Sequence, residues 1–135
     1  MPAMHDLGKF PASGPESRAA RTFYKLTDAN SIKMISGRRT PVLLSVWASN
    51  DVVQFGTVRI LAGGPGPQQT EFDSHPGDAV FYVRTGIMVF FLPDRGETFE
   101  VEEGDFMYIP GGERYKIINY TRKAVTAVFA VAPEF

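Results

Sequence analysis

Glu71-Phe72-Asp73-Ser74-His75-Pro76-Gly77-Asp78-Ala79-Val80-Phe81-Tyr82-Val83-Arg84-Thr85-Gly86 is the stretch on which the reading of this chain turns. Asp73 and His75 stand two apart, ahead of a Pro76-Gly77 turn. An apolar run follows and stops shortly before Gly86. Residues two apart on an extended segment share a face. A carboxylate and an imidazole are therefore expected side by side, a pairing suited to acid–base chemistry or to part of a metal site.

Working outward, the chain divides into short apolar runs separated by Gly and Pro. Val42 to Ala48, Val52 to Ala62 and Gln69 to His75 read as strands, and so do Ala79 to Val83 and Ile87 to Leu92. Glu97 to Val101, Asp105 to Ile109, Arg114 to Asn119 and Ala124 to Val131 continue the pattern. Gly63-Gly64-Pro65-Gly66-Pro67, Pro93-Asp94-Arg95-Gly96 and Pro110-Gly111-Gly112 supply the turns. Strands about ten residues apart, each ended by a turn signal, predict an all-β sandwich or barrel. Ahead of them, Thr22 to Leu26 reads as a short strand, and Thr27 or Asp28 as the cap of a helical turn reaching Ile35. Met1 to about Ala20 carries Pro2, Pro11 and Pro15 with little periodicity, and reads as a flexible or extended arm bearing His5. Residues 21–135 then form a single domain.

Composition narrows the function. With 14 basic and 15 acidic residues the formal charge is −1. That leaves no basic stripe for nucleic acid and no polybasic patch for a membrane surface. No apolar run approaches the roughly 20 residues of a membrane helix, and the N-terminus lacks the apolar core of a secretory signal. Cysteine is absent, which removes disulfides, thiolate nucleophiles and cysteine zinc sites and fits a cytoplasmic protein. The two histidines, His5 and His75, rule out a three-histidine metal site within one chain.

Two segments resemble the motifs of the cupin superfamily. The first motif is Gly, five residues, His-x-His, three or four residues, Glu, six residues, Gly. Here Asp73-Ser74-His75 is followed by three residues, Ala79, six residues and Gly86. The second motif is Gly, five residues, Pro-x-Gly, two residues, His, three residues, Asn. Here it is Gly104, five residues, Pro110-Gly111-Gly112, two residues, Tyr115, three residues and Asn119. Only the leading glycine of the first motif is out of step, because six residues separate Gly66 from Asp73. The resemblance runs from about Pro41 to Val131. It implies a double-stranded β-helix, a jelly-roll-like barrel with a ligand cavity at one end. The family's metal set of three histidines and a glutamate is matched by Asp73, His75, Ala79 and Tyr115, of which only His75 is the family's own residue.

Two chemistries follow from that set. Asp73, His75 and Tyr115 could hold iron or manganese, with Asp78 or Glu71 replacing the glutamate. Without a metal, His75 serves as base, Asp73 orients it and Tyr115 donates a proton from the opposite wall. The resemblance to metal-free cupins that use a His–Asp pair and a tyrosine favours the second. The expected activity is a lyase or isomerase acting beside a carbonyl of a small polar metabolite, with no cofactor. A cupin that binds a small molecule without turning it over is the non-enzymatic alternative. Arg59, Gln69, Glu71, Phe81, Met107 and Asn119 are the expected substrate contacts. Trp47 and Phe55 read as core or interface. A homodimer is expected, formed through the N-terminal arm and a sheet edge that needs covering.

Overall fold

The computed structural model describes residues 6–36, 42–62 and 72–133. His5, Arg38, Arg39, Gln69 and Glu71 lie outside the described residues. Nine strands are described: β1 (Ile32–Ser36), β2 (Val42–Ser49), β3 (Gln54–Ile60), β4 (Asp78–Thr85), β5 (Met88–Leu92), β6 (Glu97–Val101), β7 (Phe106–Ile109), β8 (Lys116–Ile118) and β9 (Val125–Ala132). They form a six-stranded sheet in the order β1-β2-β3-β9-β4-β7 and a three-stranded sheet in the order β6-β5-β8. Every pairing is antiparallel. This is the all-β barrel that the sequence predicts.

Period-two alternation drives the sheets together. On β4, Ala79, Phe81 and Val83 are buried while Val80, Tyr82 and Arg84 are exposed. On β9, Val125, Ala127, Phe129 and Val131 point the same way as that buried set. Phe81 stands opposite Phe129 in register, and Met107 on β7 stands opposite Phe81. Phe90 on β5 closes on Phe81 from the other sheet, ring centroids 5.2 Å apart. Burying each such ring contributes about 2–3 kcal/mol. Gly86 and Gly104 end strands at positive φ, +84° and +87°, where a side chain would be strained.

The N-terminal region departs from the sequence reading. Residues Gly14–Ala20 form a helix, α1, not an extended arm. Ser13 caps it by accepting from the Glu16 N–H at 3.4 Å, with Pro15 in the first turn. The segment also docks on its own chain. Phe10 and Ser49 exchange two backbone hydrogen bonds of 2.8 Å, and Phe10 packs with Ile32 and Val46 in a second small core. Thr22 to Leu26 is not a strand, and the turn starting near Thr27 is a single 3-10 turn, Asp28–Asn30. The helix expected through Ile35 is replaced by β1. Burial of Ile32 against β2, with Lys33 and Ile35 turned outward, outweighs the local cap signal.

Asn119 is a structural clamp. Its amide N–H groups donate to the Ile60, Leu61 and Lys123 carbonyls at 3.3, 3.2 and 2.7 Å. Its Oδ1 accepts from the Thr121 N–H and hydroxyl. Replacing it with Ala removes the amide donor from the buried Ile60 carbonyl and the acceptor from Thr121. Urea unfolding of Asn119→Ala is expected to show a loss of about 2–4 kcal/mol.

Candidate active site

The site is assembled by backbone lacing between two loops. Asp73 N–H donates to the Tyr115 carbonyl at 2.8 Å, and Tyr115 N–H returns a bond to the Asp73 carbonyl at 2.9 Å. Gly112 N–H donates to the His75 carbonyl at 2.7 Å. Between these bonds Gly111 lies flat on the Pro76-Gly77 turn. A Cβ at Gly111 would stand 2.3 Å from the Pro76 carbonyl oxygen, so only glycine lets the two loops meet. The sequence motif Pro110-Gly111-Gly112 thus fixes the height of His75 above the barrel.

Phe72 anchors the other side of this segment. Its ring takes the Arg114 guanidinium at 5.3 Å and the Lys116 ammonium at 5.9 Å, with Phe91 6.3 Å away. Arg114 is itself paired with Asp94 at 2.7 Å and faces away from the cavity, as its place beside Tyr115 predicts.

The described part of Gln69 to His75 is not the expected strand but holds an isolated bridge at Asp73, and Asp73 and His75 both line a cavity of about 80 Å³. Tyr115 enters it from the segment bridged to Asp73, and not from the opposite wall that the sequence reading expects. Its ring is buried, edge-on to Phe81 at 5.8 Å. Its hydroxyl lies 2.7 Å from His75 Nε2. With the imidazole proton on Nδ1, the hydroxyl donates and the Nε2 lone pair accepts. Burial pulls the His75 pKa below 6.5, with the Asp73 charge opposing that shift. Burial, reinforced by Asp73, pushes the Tyr115 phenol well above its usual range. At neutral pH the site therefore holds a neutral imidazole and a protonated phenol, with the Asp73 side chain exposed beside them.

The rest of the cavity is apolar. Val42, Leu44 and Val58 form one wall, and Phe81, Phe129 and Val131 another, with Ile117 beside Tyr115. Of the expected contacts, Phe81 is in place. Met107 is buried in the core and is not part of the cavity wall. Arg59 is exposed on the outer face of β3, because Val58 takes the inward position. Asn119 points along the Tyr115 side of its strand but is consumed by the clamp described above. The walls built by Val58, Ile117 and Phe129 were legible only as inward strand positions.

Whether these residues suit a metal is decided by their chemistry. Ala79 places a buried methyl at the glutamate position. The phenol keeps its proton, and His75 Nε2 is occupied by it. Asp78 turns to the outside, where its Oδ1 accepts from the Gly111 N–H at 2.8 Å and its carboxylate bonds the Tyr108 side chain. Among the described residues no group of three His, Cys, Asp or Glu side chains converges. Asp73, His75 and Tyr115 are the donors the described residues offer iron or manganese, one short of the family's four because Ala79 supplies none. Among the described residues, no helix is long and apolar enough to cross a membrane.

A family model described as "Cupin domain" matches residues 60–131. The chain belongs to the cupin family. Among solved structures, this cupin is similar to the polyketide cyclase RemF of Streptomyces resistomycificus. The TM-score is 0.65 at 18% identity, over 82% of this chain and 80% of that one. It is equally similar to the Streptomyces nucleoside dehydratase Pac13, with a TM-score of 0.65 at 23% identity over 84% and 85% of the two chains. An RmlC-like cupin of Shewanella frigidimarina gives 0.64 at 12% identity, over 83% and 92%. At these identities the likeness is one of fold. No curated protein matches the chain.

NMR titration of the His75 ring is expected to give a midpoint below 6.5. In Tyr115→Phe the neutral imidazole loses its donor, so that midpoint moves up toward 6.5. The sign of the stability effect follows. Between the folded midpoint and 6.5 the unfolded chain binds more protons, so stability rises with pH through that window. His75→Gln is expected to flatten this rise in denaturation curves taken across the window.

Proposed function

We propose that this cupin is a small-molecule lyase or isomerase that works by metal-independent acid–base chemistry beside a carbonyl. The observation that supports it is the 2.7 Å contact between His75 Nε2 and the Tyr115 hydroxyl at one end of an apolar pocket. A neutral imidazole there is a base at physiological pH, and a phenol that holds its proton is a fixed hydrogen-bond donor.

The steps are these. The substrate carbonyl displaces the imidazole as acceptor of the Tyr115 hydroxyl. His75 Nε2 takes the proton from the adjacent carbon, and the C–H electron pair moves toward the carbonyl oxygen. The oxyanion accepts from Tyr115, and Asp73 stabilises the imidazolium through space. The imidazolium then gives the proton to a neighbouring carbon, which is isomerisation, or to a β-hydroxyl that leaves as water, which is elimination. Tyr115 acts here as oxyanion donor, not as the general acid expected from sequence, because its raised pKa makes proton release unfavourable. The cavity is small beside sites of several hundred Å³. It takes one end of a substrate, with an apolar flank against Phe81 and Phe129.

The fold relatives support this reading by analogy. One is a cyclase and one a dehydratase, and solved structures of the dehydratase with uridine include variants with a Tyr→Phe or His→Gln replacement.

The test is a panel of β-hydroxy carbonyl compounds in deuterated water, followed by mass spectrometry for loss of water or uptake of deuterium. His75→Gln is expected to lower kcat by at least about 100-fold, and Tyr115→Phe by about 10²–10³. The kcat/KM profile should fall on the acid side, with a midpoint below 6.5, and a chelator should leave it unchanged. Full turnover by folded His75→Gln would remove the proposal. Ligand-induced thermal stabilisation without product across the panel would favour the non-catalytic binder.

A further inference from the structure

Arg59, expected at the cavity, lies instead in a groove of about 740 Å³ on the outer side of the sheet. Strand register lays out the groove. One row runs Ile35, Leu43, Arg59 and Thr126 across β1, β2, β3 and β9. The next runs Lys33, Ser45 and Thr57. All seven side chains line the groove and sort into two kinds. Ile35 and Leu43 form an apolar shelf, and the others are hydrogen-bond donors.

The donors outnumber the acceptors. Lys33 donates to Asp28 Oδ1 at 2.7 Å and to Ser45 Oγ at 3.1 Å. The Asp28 carboxylate that lines the groove is thereby taken. Ser45 Oγ accepts from Lys33, which leaves its own proton to donate. Arg18 and Arg114 are held by Asp51 and Asp94 at 2.7 Å, whereas no carboxylate pairs with Arg59 among the described residues. Thr57 shares its strand face, and Thr126 stands opposite it on β9. Beyond Thr126, the bulge in β4 between Val83 and Thr85 holds the exposed Arg84. Both β3 and β4 pair with β9, so the two arginines leave backbones about 10 Å apart. Two guanidinium groups and the hydroxyls between them call for acceptor oxygens and negative charge.

We propose that this groove binds a soluble phosphate monoester. The phosphate lies against Arg59, Thr57 and Thr126 donate to its oxygens, and Arg84 adds the second positive charge. A tetrahedral dianion suits this set because its free oxygens accept from several directions, whereas a carboxylate offers two in one plane. The alcohol part of the ester rests on Leu43 and Ile35, one and two strands away, or about 5–10 Å. An aryl or short alkyl group spans that distance. The site stands apart from His75 and Tyr115, since the described linings of groove and cavity share Leu44 alone. It does not rest on the acid–base chemistry of the cavity.

Two-dimensional 15N NMR of the full chain, titrated with phenyl phosphate at constant ionic strength, tests it. The amides of Ser45, Thr57, Arg59 and Thr126 are expected to shift together with a Kd of about 1 mM or tighter. Inorganic phosphate should move the same amides at least about threefold more weakly, for want of the shelf contact. Arg59→Gln should weaken phenyl phosphate at least about tenfold, and Thr126→Val about three- to tenfold, with far-UV circular dichroism confirming the fold. The titration should persist in His75→Gln. No saturable shift of these amides below about 10 mM, or unchanged affinity in whichever of Arg59→Gln and Thr126→Val remains folded, overturns the proposal. Equal affinity for inorganic and phenyl phosphate overturns the shelf, and tighter binding of benzoate than of phenyl phosphate overturns the choice of phosphate. Cosedimentation with vesicles of phosphatidic acid that Arg59→Gln abolishes overturns the soluble ester in favour of a lipid headgroup.

Discussion

Two backbone hydrogen bonds between Asp73 and Tyr115 hold together everything that matters chemically in this molecule. They join a loop that carries an imidazole to the segment just before β8 that carries a phenol. Gly112 adds a third bond to the His75 carbonyl, and Gly111 permits the contact by having no Cβ. Because these bonds are made by main chain, the side chains are left to act on the cavity. The separation of His75 Nε2 from the Tyr115 hydroxyl is then a consequence of strand register rather than of loop conformation alone.

The electrostatics of the site follow from where that register puts each group. Tyr115 lies within the aromatic cluster of Phe81 and Phe90, so its phenolate form has nothing to solvate it. His75 sits half-buried at the cavity rim, where desolvation outweighs the Asp73 charge. Both shifts favour neutral forms, and two neutral partners share one short hydrogen bond. The same low-dielectric wall that keeps the base unprotonated also strengthens the phenol as a donor to a developing oxyanion. It suits a substrate's carbonyl better than a cation, which would need the phenol ionised and the imidazole released.

One alternation serves both faces of the six-stranded sheet. Inward residues of β4 and β9, such as Phe81 and Phe129, wall the cavity. Outward residues of the same strands, such as Tyr82 and Val128, build the apolar surface opposite. Toward β1 and β2 that surface gives way to the groove of Thr57, Arg59 and Ser45.

Much of this was legible in the residues themselves. Period-two alternation, turn signals and the spacing of Gly86, Gly104 and Pro110-Gly111-Gly112 determine the strands and the barrel, because strand geometry and positive φ depend on local chain chemistry. The same spacing brings Asp73 and His75 to one cavity, though not on a strand. Tertiary structure decided what local chemistry cannot. Arg59 turns outward because Val58 is needed inside, Asn119 is spent on carbonyls of the distant Ile60 and Leu61 and the nearby Lys123, and Ile32 leaves a local helix signal for the edge of a sheet. The roles of His75 and Tyr115 also waited on it. An imidazole is held neutral, and a phenol is held protonated, only by the burial and the neighbours that the folded chain brings to them.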